Sequence, residues 1–277
     1  MNGQKRIIAV NDISCFGKCS LTVALPILSS SGVETVVLPT AILSTHTGGF
    51  TGYTFLDLTN EMVKIAKHWK SINLEFDCLY SGYLGSAEQI DITENIIKEF
   101  NIPFVFVDPV MGDNGVLYKG FDKDFPQKMK KLCKMAHIIT PNITEAALLA
   151  DIPYKSEHTK EYVKEILNKL SPLCDKIIMT GVRLNKEYIT TAVYEKGAIY
   201  YIENKNIDGM YHGTGDVFAS VLLSLVLKGL PLDKCAEFAV SYISECILKT
   251  KERSENITYG VDFEECTKSL LKKLGEI

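Results

Sequence analysis

Six short apolar runs, each followed by a stretch with helical spacing, constrain this chain more than any other feature. The runs are Arg6–Val10, Thr35–Leu38, Cys78–Ser81, Phe104–Val107, His137–Ile139 and Lys176–Thr180. They are rich in Ile and Val and apolar on both sides, as strands buried in a parallel sheet are. The helical stretches between them are Leu21–Ser30, Phe55–Trp69, Ala87–Phe100, Gln127–Met135, Thr144–Ala150 and Lys160–Leu170. This alternation predicts an α/β fold with a mostly parallel central sheet and helices on both faces. After Thr180 the pattern changes. Glu187–Tyr194 and Ala198–Glu203 flank Glu195-Lys196-Gly197 and predict an antiparallel hairpin on the sheet edge. Three helices, Asp216–Lys228, Leu232–Thr250 and Phe263–Leu274, close the chain, with Gly229-Leu230-Pro231 separating the first two. Linkers, repeats and low-complexity stretches are absent, so residues 1–277 are expected to form one domain.

In open parallel sheets ligands bind beyond the carboxyl ends of the strands, so the loops there are the ones to read for chemistry. The stretch Gly213-Thr214-Gly215-Asp216 directly precedes the apolar run Val217–Leu227. A glycine-rich turn opening a helix presents unpaired N–H groups at the positive end of the helix dipole, a ready anion site. Asp216 there is either a helix cap or a base placed to take a proton from an attacking alcohol. Asp108-Pro109-Val110-Met111-Gly112-Asp113 puts two carboxylates at one strand end, suited to a hydrated divalent cation or to holding a turn. Thr140-Pro141-Asn142-Ile143-Thr144-Glu145 reads as a capping box, with a metal role for Glu145 as the alternative. Ser44-Thr45-His46-Thr47-Gly48-Gly49 gathers hydroxyls, a histidine and glycines at another strand end and favours ligand contact.

The first loop, Asn11-Asp12-Ile13-Ser14-Cys15-Phe16-Gly17-Lys18-Cys19-Ser20, is not a P-loop. Asp12 stands where the first glycine belongs, and Cys19 replaces the hydroxyl residue after the lysine. Its polar groups suit a small ligand, and Ser20 also suits a helix cap. An anion cradle with a base, acidic strand ends for Mg²⁺ and a hydroxyl-rich region are the three parts that phosphoryl transfer to an alcohol needs.

Bulk properties exclude other classes. A formal charge of −4 argues against nucleic acid. The run Val217–Leu227 is far short of the ~20 residues of a membrane span. Eight cysteines without a Cys-x-x-Cys pair make zinc improbable. With no signal-peptide pattern, a cytoplasmic location is expected. The sequons at Asn142 and Asn256 are then read as chance matches.

From Ile7 to about Lys249 the chain resembles the ribokinase superfamily in its pyridoxal kinase branch. The motifs that carry the resemblance are Ser44-Thr45-His46-Thr47-Gly48, Asp108–Asp113, Thr140–Glu145, Gly213–Asp216 and, most specifically, Ser81-Gly82-Tyr83-Leu84-Gly85-Ser86-Ala87-Glu88-Gln89. The resemblance implies a ribokinase-like three-layer sandwich and phosphorylation of the 5′-hydroxymethyl of a vitamin B6 vitamer by MgATP. It implies Asp216 as base and Gly213, Thr214 and Gly215 as the anion hole. Asp113 and Glu145 would sit around Mg²⁺, and Asp108, Thr140 and Thr180 would line the nucleotide phosphates. Thr47 and Tyr83 would contact the pyridine, with His46 close by, and Asp12 and Ser14 of the first loop would be substrate-binding residues as well. It also implies a homodimer and leaves a monovalent-cation requirement open. Two departures bear on the preferred vitamer. Asp12 stands at the family's serine position, and Thr45 replaces an asparagine. Hydroxymethylpyrimidine kinase shares the fold and is the alternative activity; a non-catalytic vitamer-binding protein is a remoter one.

Overall fold

The computed structural model describes residues 3–253 and 258–275; Asn256 of the second sequon lies outside the described residues. The elements in chain order are β1 (Arg6–Phe16), α1 (Leu21–Ser30), β2 (Glu34–Thr45), β3 (Phe55–Asp57), α2 (Thr59–Ser71), β4 (Cys78–Ser81) and α3 (Ala87–Glu99). Then come β5 (Val105–Val107), β6 (Gly112–Asp113), β7 (Val116–Leu117), α4 (Phe125–Cys133), β8 (Ile138–Ile139), α5 (Ile143–Ala150), α6 (Lys160–Leu170) and β9 (Lys176–Val182). The chain ends with β10 (Tyr188–Glu195), β11 (Ala198–Lys205), α7 (Thr214–Leu227), α8 (Leu232–Arg253) and α9 (Phe263–Gly275).

These elements form two compact units. The first comprises residues 1–78 and 207–277, the second residues 79–206. In the first unit β1 and β2 run parallel from Arg6 opposite Glu34 to Phe16 opposite Thr45. The register shifts between Asn11 and Ile13, which face Pro39 and Ile42. The extra residue lies on β2, and such a bulge re-aims side chains beside functional sites. β3 adds an antiparallel edge against Ala41–Leu43. Helix α7 is apolar nearly all round, with Val217 to Leu225 all buried, because α1 and α8 both pack against it.

In the second unit β4, β5, β8 and β9 are parallel, and β9, β10 and β11 continue antiparallel. Residues such as Leu79, Tyr80, Phe106, Ile138 and Ile177 are completely buried in it. The predicted mixed α/β class is observed, with mostly parallel strands and the expected hairpin, here β10–β11 with β11 outermost.

Several bounds differ from the sequence reading. β1 and β2 run on past Val10 and Leu38, because Asn11-Asp12 and Pro39-Thr40 look like turn residues but are absorbed by the bulged pairing. The predicted helix Phe55–Trp69 is a short strand followed by a helix. Phe55-Leu56-Asp57 pairs with β2, and the Asp57 carboxylate accepts the Thr59 N–H as the chain turns into α2. Ser20 does not cap α1 with its side chain. Asp216 is not a cap either. Gly213 is the cap residue of α7, in the left-handed region at φ 76°, and Asp216 lies in the first turn. The capping box at Asn142 and Glu145 is present as read.

Candidate active site

In the first unit three segments meet around the N-terminal turn of α7. Gly213 packs so tightly on the backbone of the first loop that a Cβ there would overlap the Lys18 carbonyl oxygen. With a left-handed φ as well, only glycine serves this position. Lys18 is tied down at both ends. Its N–H donates to Tyr259 O (2.6 Å), and its ammonium pairs with buried Asp262 and with Glu264. These ion pairs occupy the lysine, in keeping with the failed P-loop pattern.

The half-buried Asp216 carboxylate is held by two donors. Asn11 Nδ2 lies 3.4 Å from Oδ1, and the backbone N–H of Ser20 also donates to it. Burial, with a smaller contribution from the Asp12 charge, pushes its pKa from 3.8 up to about 6. Asp12 is 5% exposed. Both its oxygens are occupied, Oδ2 by the Ser14 hydroxyl at 2.9 Å and Oδ1 by the Ser20 hydroxyl. The Asp12 N–H donates to Asn11 Oδ1 at 3.0 Å. The Cys19 thiol is pushed up by burial and by the Asp216 and Asp12 charges, so it stays neutral beside them.

His46 is buried next to this loop. Its ring centroid lies 5.0 Å from Phe50 and 5.1 Å from His212. Burial and then His212 lower its pKa, which favours the neutral ring. Gly17 lies against the His46 ring and Gly48 against the His212 ring, each with no room for a side chain. Thr47 is exposed at the tip of this turn.

In the second unit the strand ends carry the acidic residues. Glu145 accepts the N–H groups of Met111 (3.1 Å) and Asn142 (2.8 Å), so it joins α5 to the loop after β5. Its pKa is raised, by burial first and by the buried Asp108 charge second. Asn142 donates to Gly112 O, and Gly115 N–H donates to the Thr144 hydroxyl, so β6 and β7 are seated on the start of α5. Asp113 is exposed and accepts from Asn114. The Thr140 hydroxyl is buried and pairs with no other group, and Thr180 N–H donates to Pro141 O. The Tyr83 ring lies 5.7 Å from Phe121, which stacks on Phe125.

The described residues contain no group of three or more His, Cys, Asp or Glu side chains able to hold a metal ion by themselves. Mg²⁺ asks for no such cage, since it keeps several waters and takes one or two carboxylates plus substrate phosphates. Asp108 and Glu145, hard oxygen donors whose buried charges oppose each other, fit such a cation.

The sequence-named residues of the first unit, Asp12, Ser14, Gly213 and Asp216, are brought together, with His46 and Thr47 on the neighbouring turn. Those of the second unit, Asp108, Asp113, Thr140, Glu145 and Thr180, gather at the ends of β5, β8 and β9. The sequence reading missed Asn11 and Ser20 as partners of the carboxylates, and His212. The alternation of polar Asp12 and Ser14 with apolar Ile13 and Cys15 was the available signal that β1 continues.

The family described as phosphomethylpyrimidine kinase matches residues 25–260. A Bacteroides thetaiotaomicron protein provisionally named phosphomethylpyrimidine kinase, crystallised with pyridoxal, is 38% identical; the match covers 98% of this chain and 96% of that one, with a TM-score of 0.91. Pyridoxal kinase from Lactobacillus plantarum is 30% identical over 98% of each chain, with a TM-score of 0.91. A Schizosaccharomyces pombe protein provisionally named pyridoxal kinase is 27% identical over 91% of this chain and 88% of its own.

Two outcomes are expected. Gly213→Ala forces the first loop off α7, and a melting-temperature drop equivalent to roughly 1–3 kcal/mol should be measured. A folded-state pKa near 6 against an ordinary 3.8 means that the folded chain prefers neutral Asp216. The charge then costs stability above about pH 6, and the cost fades as pH falls to about 4. Asp216→Asn should therefore raise the melting temperature at pH 8, by something on the order of 1–2 kcal/mol, and lose that advantage near pH 4.

Proposed function

The chain belongs to the phosphomethylpyrimidine kinase family, within the ribokinase superfamily, and on that premise we propose the following reaction. The chain transfers the γ-phosphoryl group of ATP to the 5′-hydroxymethyl of a vitamin B6 vitamer, giving the 5′-phosphate and ADP. The observation that carries this reading is the Asp216 carboxylate in the first turn of α7, beside the Gly213–Gly215 turn, with its pKa pushed up to about 6. A carboxyl of that pKa is still mostly ionised at neutral pH and is a stronger base than an ordinary one. Asp216 takes the hydroxyl proton as the substrate oxygen forms its bond to phosphorus and the bond to the ADP oxygen breaks. The N–H groups of Gly213, Thr214 and Gly215 receive the charge on the transferring group.

In this reading His46, Thr47 and Tyr83 contact the vitamer, and Ser14 and Asp12 lie in the same first loop. Asp108, Thr140 and Thr180 serve the nucleotide phosphates. Asp113 and Glu145, with Asp108, would hold Mg²⁺ and its waters. That ion supplies neutralisation of phosphate charge when bound. The unpaired Thr140 hydroxyl supports this assignment, and so does the raised Glu145 pKa, since a nearby cation would favour the ionised carboxylate that burial and Asp108 oppose. The two units acting as one kinase domain, a homodimeric assembly and a cytoplasmic setting belong to the same proposal. Among the described residues no helix is long and apolar enough to cross a membrane.

Hydroxymethylpyrimidine, also a hydroxymethyl-bearing aromatic ring, is the second substrate to weigh, since the matching family is described by a related pyrimidine, phosphomethylpyrimidine. The pyridoxal-bound relative at 38% identity favours the vitamer. Steady-state turnover with MgATP against pyridoxal, pyridoxine, pyridoxamine and hydroxymethylpyrimidine decides between them. The highest kcat/KM should fall on a vitamer; a higher value for the pyrimidine overturns the reading. Asp216→Asn should lower kcat by roughly 10²–10⁴-fold while vitamer binding survives. Glu145→Gln should raise the Mg²⁺ concentration needed for half-maximal rate, and an unchanged Mg²⁺ dependence would remove Glu145 from the metal's surroundings.

A further inference from the structure

Resting on the reading of Asp216 as base, we propose that Asp12 is a positioning residue that acts on the substrate only through Asp216. By way of Ser20 and Asn11 it fixes the base carboxylate, and as a buried neighbouring anion it sets how readily that base accepts the hydroxyl proton.

Ser20 serves both carboxylates at once, its backbone N–H donating to Asp216 and its hydroxyl to Asp12. It does so in a backbone conformation that side-chain-bearing residues avoid, φ 57° and ψ −133°. Strain of this kind costs about 1–3 kcal/mol and persists only where surrounding contacts enforce it. Asn11 is a second link. Its side-chain oxygen accepts the Asp12 N–H, and its amide nitrogen lies 3.4 Å from Asp216.

Asp12 is badly placed to bind a ligand directly. It is 5% exposed, and each of its oxygens already accepts a serine hydroxyl. Burial raises the Asp12 pKa, and those same two donors offset part of that cost by favouring its ionised form. The arrangement places beside the base a second carboxylate whose charge opposes ionisation of Asp216. Among the described residues the ionisable groups facing Asp216 are Asp12, from β1, and the Cys19 thiol, from the loop before α1. Burial holds that thiol neutral, so Asp12 is the charge that acts on Asp216.

The test is the dependence of kcat on pH, across roughly pH 5 to 9, with pyridoxal and MgATP. Asp12→Asn should move the acid limb to lower pH while the plateau kcat falls by less than about tenfold and the pyridoxal KM stays within about twofold. Ser14→Ala, a milder change that weakens the Asp12 anion, should move the limb the same way by less. In an Asp216→Asn background Asp12→Asn should have no further effect on the residual rate, since the two act as one unit. An unmoved acid limb overturns the proposal. So does a large rise in pyridoxal KM with the limb unmoved, which would make Asp12 a substrate contact. Titration of the Asp216 carboxyl by carbon-13 NMR in the full chain reads the same coupling without turnover. A midpoint that Asp12→Asn lowers supports the inference even if no vitamer is phosphorylated, and an unchanged midpoint rejects it even if one is.

Discussion

The close approach of the Lys18 backbone to Gly213 is the contact on which the first unit's site depends. It brings the end of the first loop against the start of α7 with no side chain between them. Ser20 can then donate its N–H to Asp216 in the first turn of that helix. The same lysine reaches the segment after α8 through Tyr259 O, Asp262 and Glu264, and Gly260 makes room for the approach. Segments about two hundred residues apart in the chain are thus joined at one point. The pairing of Lys18 with Asp262, whose side chain is fully buried, anchors the loop where an exposed ion pair would do little.

The second unit solves a similar problem with a different device. Glu145 is an ordinary capping-box partner, closing the start of α5 over the Asn142 N–H. By also accepting from Met111 it fixes the loop that carries Asp108 and Asp113. One carboxylate therefore starts a helix, sets a loop and adds negative charge beside Asp108. The capping and metal readings of this motif are compatible, because an ionised carboxylate has about four acceptor sites and the backbone N–H groups leave some of them open.

Much of this was legible in the sequence. The bounds of α1, α6 and β4 follow from apolar spacing alone, since their patterns begin and end at clear polar or turn residues. Gly213–Asp216 and Asp108–Asp113 announced themselves because glycines and carboxylates at strand and helix ends are chemically conspicuous. The sequence reading stumbled where tertiary pairing overrode local preference. Asn11-Asp12 and Pro39-Thr40 carry turn residues, yet they lie within paired strands because a register shift accommodates the proline, which has no N–H to donate. Phe55–Asp57 has no independent strand pattern and becomes one by adding to the β2 edge. Ser20 is the sharpest case. Its type and position predict a side-chain cap, but the competing acceptor, Asp12, is eight residues away and visible only once the loop has folded.

Both units place carboxylates where burial raises their pKa, and the consequences differ because the surroundings differ. Glu145 and Asp108 oppose each other, and a positive charge brought from outside would relieve that repulsion. Asp216 also faces another carboxylate, Asp12, whose two oxygens each accept a serine hydroxyl. There the Asp216 pKa of about 6 lets a proton relieve the repulsion. The same elementary cost, an anion partly stripped of water beside another anion, thus suits one place to a metal ion and the other to accepting a proton from an alcohol. The difference lies in the donors around each pair. The Ser14 and Ser20 hydroxyls hold Asp12 in place, while the proposed base Asp216 stays partly accessible.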